Sequence, residues 1–161
     1  MEKNGEAAAE WRVAVAVDGS EESMHALGWS LRNVLSASAK NTVVLLYARP
    51  PPPIYPSTDT SGYLFSDEEI TTMEQYNKEV ENSVIDKAQT ILKNHDNIKV
   101  EKRIATGDAR DVICDTVDRV GADLLVMGSH GYGFVKRALL GSVSDYCIHH
   151  AKCPVLIVKR P

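Results

Sequence analysis

The chain has 161 residues, about the length of one domain, and its 43% hydrophobic and 25% charged residues are typical of a globular protein. Its 18 basic and 22 acidic residues give a net charge of −4, so we expect neither nucleic acid nor an anionic membrane as a partner. No apolar run approaches the roughly 20 residues of a membrane-spanning helix, and the first residues lack the basic flank of a signal peptide.

Short apolar runs alternate with helical patterns along the first half of the chain. The run Val13–Val17 predicts a buried strand that ends at the turn or cap signal Asp18-Gly19-Ser20. Apolar residues at three- to four-residue spacing then predict a helix over Glu21–Ala37, and Thr42–Ala48 predicts a second buried strand.

The second half of the chain continues the same alternation. The capping box Ser66-Asp67-Glu68-Glu69 predicts the start of a long amphipathic helix, and Ile98, Val100 and Ile104 predict an exposed edge strand after it. A helix is predicted to begin at Asp108, followed by a strand over Asp123–Met127. A last helix is predicted to begin at Gly141-Ser142, followed by a strand over Pro154–Val158. Strands alternating with helices predict a single doubly wound α/β layer, a five-stranded parallel sheet with helices on both faces.

The domain is predicted to cover residues 11–161, after a flexible amino terminus of residues 1–10. Within it, residues 49–65 form a proline-rich loop, which begins with four prolines at Pro50–Pro53. Consecutive prolines favour an extended conformation, and most such runs are spacers, although some are ligands for proline-binding domains.

A group of glycines and serines follows the fourth predicted strand. Two residues separate Gly128 from Gly131, and nine residues separate Gly131 from Gly141-Ser142. Glycine lets a ligand approach bare backbone, and the unpaired N–H groups at a helix start favour phosphate. Lys136 and Arg137 lie in the intervening loop, where they could screen phosphate charge, whereas any one of these glycines taken alone fits a simple turn.

The predicted topology gives Asp18 a possible part in the same site. Ligands of open parallel sheets bind at the carboxyl ends of strands, at the point where the winding direction reverses. Asp18 follows the first strand and Gly128 follows the fourth, so neighbouring strands would bring both to one crevice. Asp18 would then accept hydrogen bonds from ribose hydroxyls, or it would only cap the first helix, and the sequence leaves both roles open.

These blocks together resemble the universal stress protein family. The glycine pattern is similar to the family's motif, G-x2-G-x9-G-S/T, without a gap. The resemblance extends over nearly the whole chain, through the first strand ending in an aspartate, the turn Thr106-Gly107-Asp108, the block 127–131, the block 140–144 and the ending Cys153-Pro154-Val155. The proline-rich insertion resembles that of the family's plant members.

The resemblance implies a Rossmann-like, adenine nucleotide α-hydrolase-like fold with strand order 3-2-1-4-5. It also implies ATP or AMP at the switch point, with Asp18 at the ribose and the Ala48 backbone at the adenine. If Mg²⁺ accompanies the nucleotide, we expect it to be held through the phosphates. The nucleotide-binding residues that it implies are Ala16, Val17, Asp18, Ala48, Gly107, Met127, Gly128, Ser129, His130, Gly131, Gly141, Ser142, Val143 and Ser144.

The sequence assigns no catalytic residue. The motif offers phosphate donors but no evident metal carboxylate other than Asp18, so the nucleotide is expected to be a ligand with at most weak ATP hydrolysis. His130 could contact a phosphate or act as a base, although a loop residue is the commoner role. The alternatives to a nucleotide-binding regulator are a slow ATPase and a nucleotide-independent protein-interaction module.

The three cysteines form no disulfide framework, which indicates reduced thiols and a cytoplasmic protein, with entry into the nucleus by diffusion left open. Cys147, His149, His150 and Cys153 suggest a zinc site, but their spacing is not that of zinc ligands, and we expect no metal site of the protein's own. The chain has no G-x-S-x-G motif of a serine hydrolase and no G-x4-G-K-S/T motif of a P-loop NTPase.

The last predicted strand, within residues 153–158, is expected to form a homodimer. Its residues Val155 to Val158 are all apolar, and an open apolar edge strand would favour aggregation unless it is covered or paired. Pairing of this strand with the same strand of a second chain about a two-fold axis would satisfy its free backbone groups. The family resemblance implies the same contact.

Overall fold

The computed structural model describes residues 10–35, 40–51, 67–130 and 140–161. The strands in these residues are β1 (Arg12–Ala16), β2 (Thr42–Arg49), β3 (Lys99–Thr106), β4 (Leu124–Gly128) and β5 (Val155–Val158). The helices are α1 (Glu21–Asn33), α2 (Asp67–Leu92), α3 (Ala109–Arg119) and α4 (Ser142–His150). None of these helices is long and apolar enough to cross a membrane.

The strands form one parallel sheet in the order β3-β2-β1-β4-β5. The sheet separates two apolar cores, one beneath α1 and α2 and the other beneath α3 and α4. The central strand β1 serves both cores, since Val13 and Val15 face α1 and α2, whereas Ala14 and Ala16 face α3 and α4. The predicted doubly wound fold and its strand order are confirmed.

The two edge strands of the sheet differ in chemistry. β3 is largely exposed and carries Lys99, Glu101, Lys102 and Arg103, charges that discourage pairing with another sheet. β5 at the opposite edge is Val-Leu-Ile-Val and has no charged residue. The prediction that the strand containing Val100 lies at an edge is confirmed.

The boundaries of several elements differ from the sequence prediction. Helix α1 ends at Asn33 and not at Ala37, because the Ser30 carbonyl accepts hydrogen bonds from the N–H groups of both Val34 and Leu35, which closes the last turn. The predicted capping residue Ser66 lies outside the described residues. The same holds for residues 1–9 and for the proline-rich loop beyond Pro51.

Candidate functional site

A cleft of about 180 Å³ lies at the carboxyl ends of β1 and β4. These strands are neighbours, and the chain leaves β1 towards β2 on one side and reaches β4 on the other, so the cleft lies where the winding direction reverses. Its lining residues are Ala16, Val17, Asp18, Ser23, Leu46, Ala48, Ala109, Ile113, Met127, Gly128, His130, Gly141, Ser142, Val143 and Ser144.

Asp18 lies in the turn between β1 and α1, where Ser20 binds its carboxylate. Asp18 Oδ1 accepts hydrogen bonds from the Ser20 N–H, at 2.9 Å, and from the Ser20 hydroxyl. Ser20 is itself the N-cap of α1, and its side chain accepts a hydrogen bond from the N–H of Ser23. Asp18 therefore does not cap the helix directly, but orients the residue that does.

The amino terminus of α4 forms the opposite wall of the cleft. Its N-cap is Gly141, which has no side chain to satisfy the first N–H groups, and no side-chain cap is present among the described residues. The N–H of Gly141 donates to the Ser129 carbonyl at 2.7 Å, which fixes the start of the helix against the end of β4. The unsatisfied N–H groups and the helix dipole make this end favourable for an anion.

The two serines in the first turn of α4 differ in environment. Ser142 is exposed at the rim of the cleft. Ser144 is buried, and its hydroxyl donates a hydrogen bond to the Gly128 carbonyl at 2.9 Å. The Ser144 hydroxyl proton therefore bridges α4 and β4, whereas the Ser142 hydroxyl lies at the rim.

Gly128 is required by the packing of β4 against α1. A Cβ atom built on this residue would lie 2.9 Å from the Glu22 carbonyl carbon and 3.0 Å from the Glu22 carbonyl oxygen. These atoms belong to the backbone of α1, which cannot move aside as a flexible side chain would. The space that a side chain would need at position 128 is thus filled by the neighbouring helix and not by the cleft.

The floor of the cleft is apolar and lies on the face of the sheet that carries α3 and α4. Leu46 and Met127 are buried beneath it, and Ile113 reaches it from α3. Asp18 is the only acidic residue in the lining, and no lysine or arginine of the described residues lines it. The cleft thus combines an apolar floor, one carboxylate and one helix amino terminus, a combination that suits a ligand with a flat apolar group and a negative charge.

The chain matches the model of the universal stress protein family over residues 11–159. It belongs to that family. Among curated relatives, it is 32% identical to the universal stress protein A-like protein of Arabidopsis thaliana, over 84% of this chain and 77% of that protein. It is 30% identical to universal stress protein PHOS34 of the same plant, over 96% of this chain, and spans only 64% of the length of PHOS34.

Solved structures of universal stress proteins have the same fold. One family protein of Arabidopsis thaliana, solved with AMP bound, is 30% identical, covers 94% of this chain and 92% of its own, and has a TM-score of 0.65. UspA from Lactobacillus plantarum has a TM-score of 0.76 at 18% identity, over 94% of this chain and 99% of its own, which shows a common fold.

The cleft of this universal stress protein brings together most of the residues that the family motif implied. Gly107 and Ser129 do not line it. Gly107 follows β3 with a φ of +148°, and its N–H donates a hydrogen bond to the Arg49 carbonyl. The Ser129 carbonyl accepts a hydrogen bond from the N–H of Gly141 at the start of α4. Gly131, Lys136 and Arg137 lie outside the described residues.

Sequence reasoning missed four lining residues, which are Ser23, Leu46, Ala109 and Ile113. Leu46 could have been found, because it lies two residues before Ala48 in a strand and therefore points to the same face. Ala109 and Ile113 are four residues apart in α3 and share a helix face, but only the packing of α3 over β2 places that face at the cleft.

The cysteine and histidine residues near the end of α4 point in different directions. Cys147 is fully buried in the core, whereas His149 and His150 are exposed. The ring of His150 stacks on Tyr146 with 3.9 Å between ring centroids. No group of three or more metal-ligating side chains occurs in the described parts of the chain.

Proposed function

We propose that this protein is an adenine-nucleotide-binding regulatory module of the stress response, which binds ATP or AMP as a ligand and acts as a homodimer. The observation that carries the proposal is the position of the uncapped amino terminus of α4 across the cleft from Asp18. A phosphate and a ribose are the two groups of a nucleotide that such a pair would recognise.

The lining suggests an orientation for the nucleotide. The base would pack on the apolar floor near Leu46 and Ile113, with its edge at the Ala48 backbone. The ribose would lie at Asp18, whose carboxylate already accepts from Ser20 and has further acceptor capacity. The phosphates would accept hydrogen bonds from the N–H groups in the first turn of α4 and from the exposed hydroxyl of Ser142. AMP binding by the 30% identical Arabidopsis protein supports this assignment.

The chemistry of the lining supports a role for the nucleotide as a ligand. Rapid phosphoryl transfer requires metal ligands and a group that positions water. Among the described residues of the lining, Asp18 is the one acidic side chain, and the proposed orientation assigns it to the ribose. Mg²⁺ that arrives with ATP would therefore be held by the phosphates themselves, and any hydrolysis would be slow.

The homodimer is proposed on the chemistry of β5. Its Leu156 and Val158 contribute to one core and its Val155 and Ile157 to the other, as the alternation predicts, yet only Val158 is buried. The outer edge of an apolar strand has free N–H and C=O groups that a second copy could pair. The charged residues of β3 make the opposite edge a poor alternative.

The decisive experiment is the identification of nucleotide released from protein purified without added ligand, followed by calorimetric titration with AMP, ATP and ATP with Mg²⁺. We expect bound adenine nucleotide and saturable binding at or below millimolar concentration. GMP serves as the matched control, because it keeps the ribose and phosphate but changes the base edge that faces Ala48. Steady release of ADP from ATP would favour the slow ATPase.

The protein-interaction module is the second candidate, and the titration separates it from the first. If neither AMP nor ATP binds at millimolar concentration, the nucleotide proposal is wrong and the interaction module remains. Gly131→Val provides a further control. This substitution should abolish binding and leave the fold intact if the glycine motif approaches phosphate, and it should have no effect on affinity if the motif only forms a turn.

A further inference from the structure

The cysteines of the chain belong to the core beneath α3 and α4. Cys147 is fully buried, and Cys114 of α3 and Cys153, which precedes β5, pack against the same cluster with part of their surface exposed. All three are free thiols. None of them lines the cleft, so the proposed nucleotide site leaves their arrangement unexplained.

Cys114 and Cys147 are in contact with each other. Their Sγ atoms lie 3.8 Å apart, although 33 positions of sequence separate the two residues. A disulfide holds its sulfurs at about 2.05 Å, so the thiols are about 1.8 Å further apart than the bonded atoms would be. Closing the bond therefore requires rotation of the two side chains and an approach of the packed helices.

We propose that Cys114 and Cys147 are an intramolecular disulfide site, which closes when a hydroperoxide oxidises the protein. In the first step the Cys114 thiol loses its proton, its sulfur attacks the terminal oxygen of the hydroperoxide, and the O–O bond breaks. Cys114 becomes a sulfenic acid, and the other oxygen leaves as hydroxide or alkoxide, which takes up the released proton to give water or alcohol. In the second step the Cys147 sulfur attacks the Cys114 sulfur, the S–O bond breaks, and the hydroxyl leaves with a proton as water. Two thiols are oxidised and one hydroperoxide is reduced.

The order of the steps follows from exposure. Cys114 is partly exposed, whereas Cys147 has no surface in contact with solvent, so peroxide reaches Cys114 first. Burial raises the pKa of both thiols, and that of Cys147 to about 12, so exposure and not thiol acidity sets the order of the two steps. Once Cys114 is oxidised, the adjacent Cys147 sulfur is held within reach of it.

The bond would connect the two helices that border the cleft. Ile113, which lines the cleft, directly precedes Cys114, and Ser144 lies three positions before Cys147 in α4. Closing the disulfide would fix α3 to α4 beside the first turn of α4. The bond itself requires no nucleotide, so its formation and the proposed function can fail independently.

The chain offers a direct assay, because trypsin places each cysteine in a different peptide. The peptides are Asp111–Arg119 with Cys114, Ala138–Lys152 with Cys147, and Cys153–Lys159 with Cys153. The folded, nucleotide-free protein is treated with hydrogen peroxide, blocked with an alkylating reagent, digested without reductant and analysed by mass spectrometry. We expect a cross-linked pair of the first two peptides, which disappears on reduction, and alkylated Cys153.

Variants make the test specific. Cys153→Ser should leave the cross-link unchanged, whereas Cys114→Ser should abolish it in a protein that still folds. A cross-link that contains Cys153, a covalent dimer, or sulfinic and sulfonic acids on Cys114 in place of the cross-link would overturn the proposal. Because the wild-type peptides identify the bonded pair directly, the result does not depend on the stability of a Cys147 variant.

Discussion

Gly128, at the end of β4, packs closely against the backbone of Glu22 in the first turn of α1. A Cβ at position 128 would lie 2.9 Å from the Glu22 carbonyl carbon. This contact fixes the distance between the strand end that borders the cleft and the helix whose N-cap is oriented by Asp18. This close approach of helix to sheet therefore positions the Asp18 side of the cleft against the end of β4.

Gly128→Ala should destabilise the protein by about 1–3 kcal/mol, because the added methyl group collides with backbone atoms that cannot move aside. Gly28→Ala in α1 is the matched control. Its methyl group would meet the flexible end of Arg32 at 3.2 Å, and alanine is the better helix former, so a gain of up to about 1 kcal/mol is expected. Thermal and denaturant unfolding measure both, and equal effects of the two substitutions would contradict the packing role of Gly128.

Ser142→Ala and Ser144→Ala should separate binding from stability. Removing the exposed Ser142 hydroxyl should lower nucleotide affinity by roughly 5- to 150-fold, which corresponds to about 1–3 kcal/mol, and should leave the unfolding temperature unchanged. Removing the Ser144 hydroxyl should instead cost about 1–3 kcal/mol of stability, because the Gly128 carbonyl loses its buried donor. Calorimetric titration and thermal unfolding of both variants provide the comparison. A stability loss confined to Ser142→Ala would be the opposite of what the geometry predicts.

Two substitutions in β5 should convert the proposed homodimer into a monomer. The Leu125 N–H donates to the Pro154 carbonyl, so alternate residues turn their backbone groups towards β4 and the Ile157 N–H faces outward. Ile157→Pro removes this outward donor without breaking the β4 ladder, and Leu156→Lys places a charge on the strand. Val100→Lys on the opposite edge is the control and should stay dimeric. Sedimentation at micromolar concentration measures the oligomeric state of each protein. A wild-type species near 17.7 kDa, the mass of one chain, would contradict the dimer.

The ion pair of Arg12 and Glu101 should stabilise the protein at neutral pH and lose this effect in acid. Arg12 binds both carboxylate oxygens of Glu101, at 3.2 and 2.9 Å, and this hydrogen bonding holds the pKa of Glu101 below its ordinary value. The ionised carboxylate therefore stabilises the folded state above about pH 4.3, the value of an unfolded glutamate, and this contribution is lost as the pH falls through the lower folded pKa.

Glu101→Gln should accordingly be less stable than the wild type at pH 7, with a difference that shrinks towards pH 3. Denaturant unfolding across this range measures the difference, and NMR titration of the Glu101 carboxyl group reads its pKa directly. Lys102→Gln, which changes a charge on the same strand that is not part of the Arg12 pair, is the control. A difference that stays constant with pH would show that the ion pair does not carry the effect.

The sequence alone was sufficient for the element order and the parallel sheet, and most of the residues that it assigned to the site line one cleft. Apolar runs such as Val13–Val17 and helical stripes such as that of α2 are local patterns, and their alternation leaves few ways to cover a parallel sheet. The edge position of β3 was also predictable, because charged residues interrupt its apolar ones, although Val100 and Ile104 are themselves exposed and the alternation does not mark one buried face. Helix ends were less certain, since the last turn of α1 depends on which N–H groups the Ser30 carbonyl accepts.

Tertiary structure alone decided what each site residue contacts. No local pattern could show that the space beside Gly128 is filled by Glu22, that the Ser144 hydroxyl bridges to β4, or that Ile113 borders the cleft. The contact between Cys114 and Cys147 is of the same kind, since it joins residues 33 positions apart. Sequence periodicity specifies which face of an element is buried, but the partner on that face follows from how helices pack across the sheet, and that packing is set by many side chains at once.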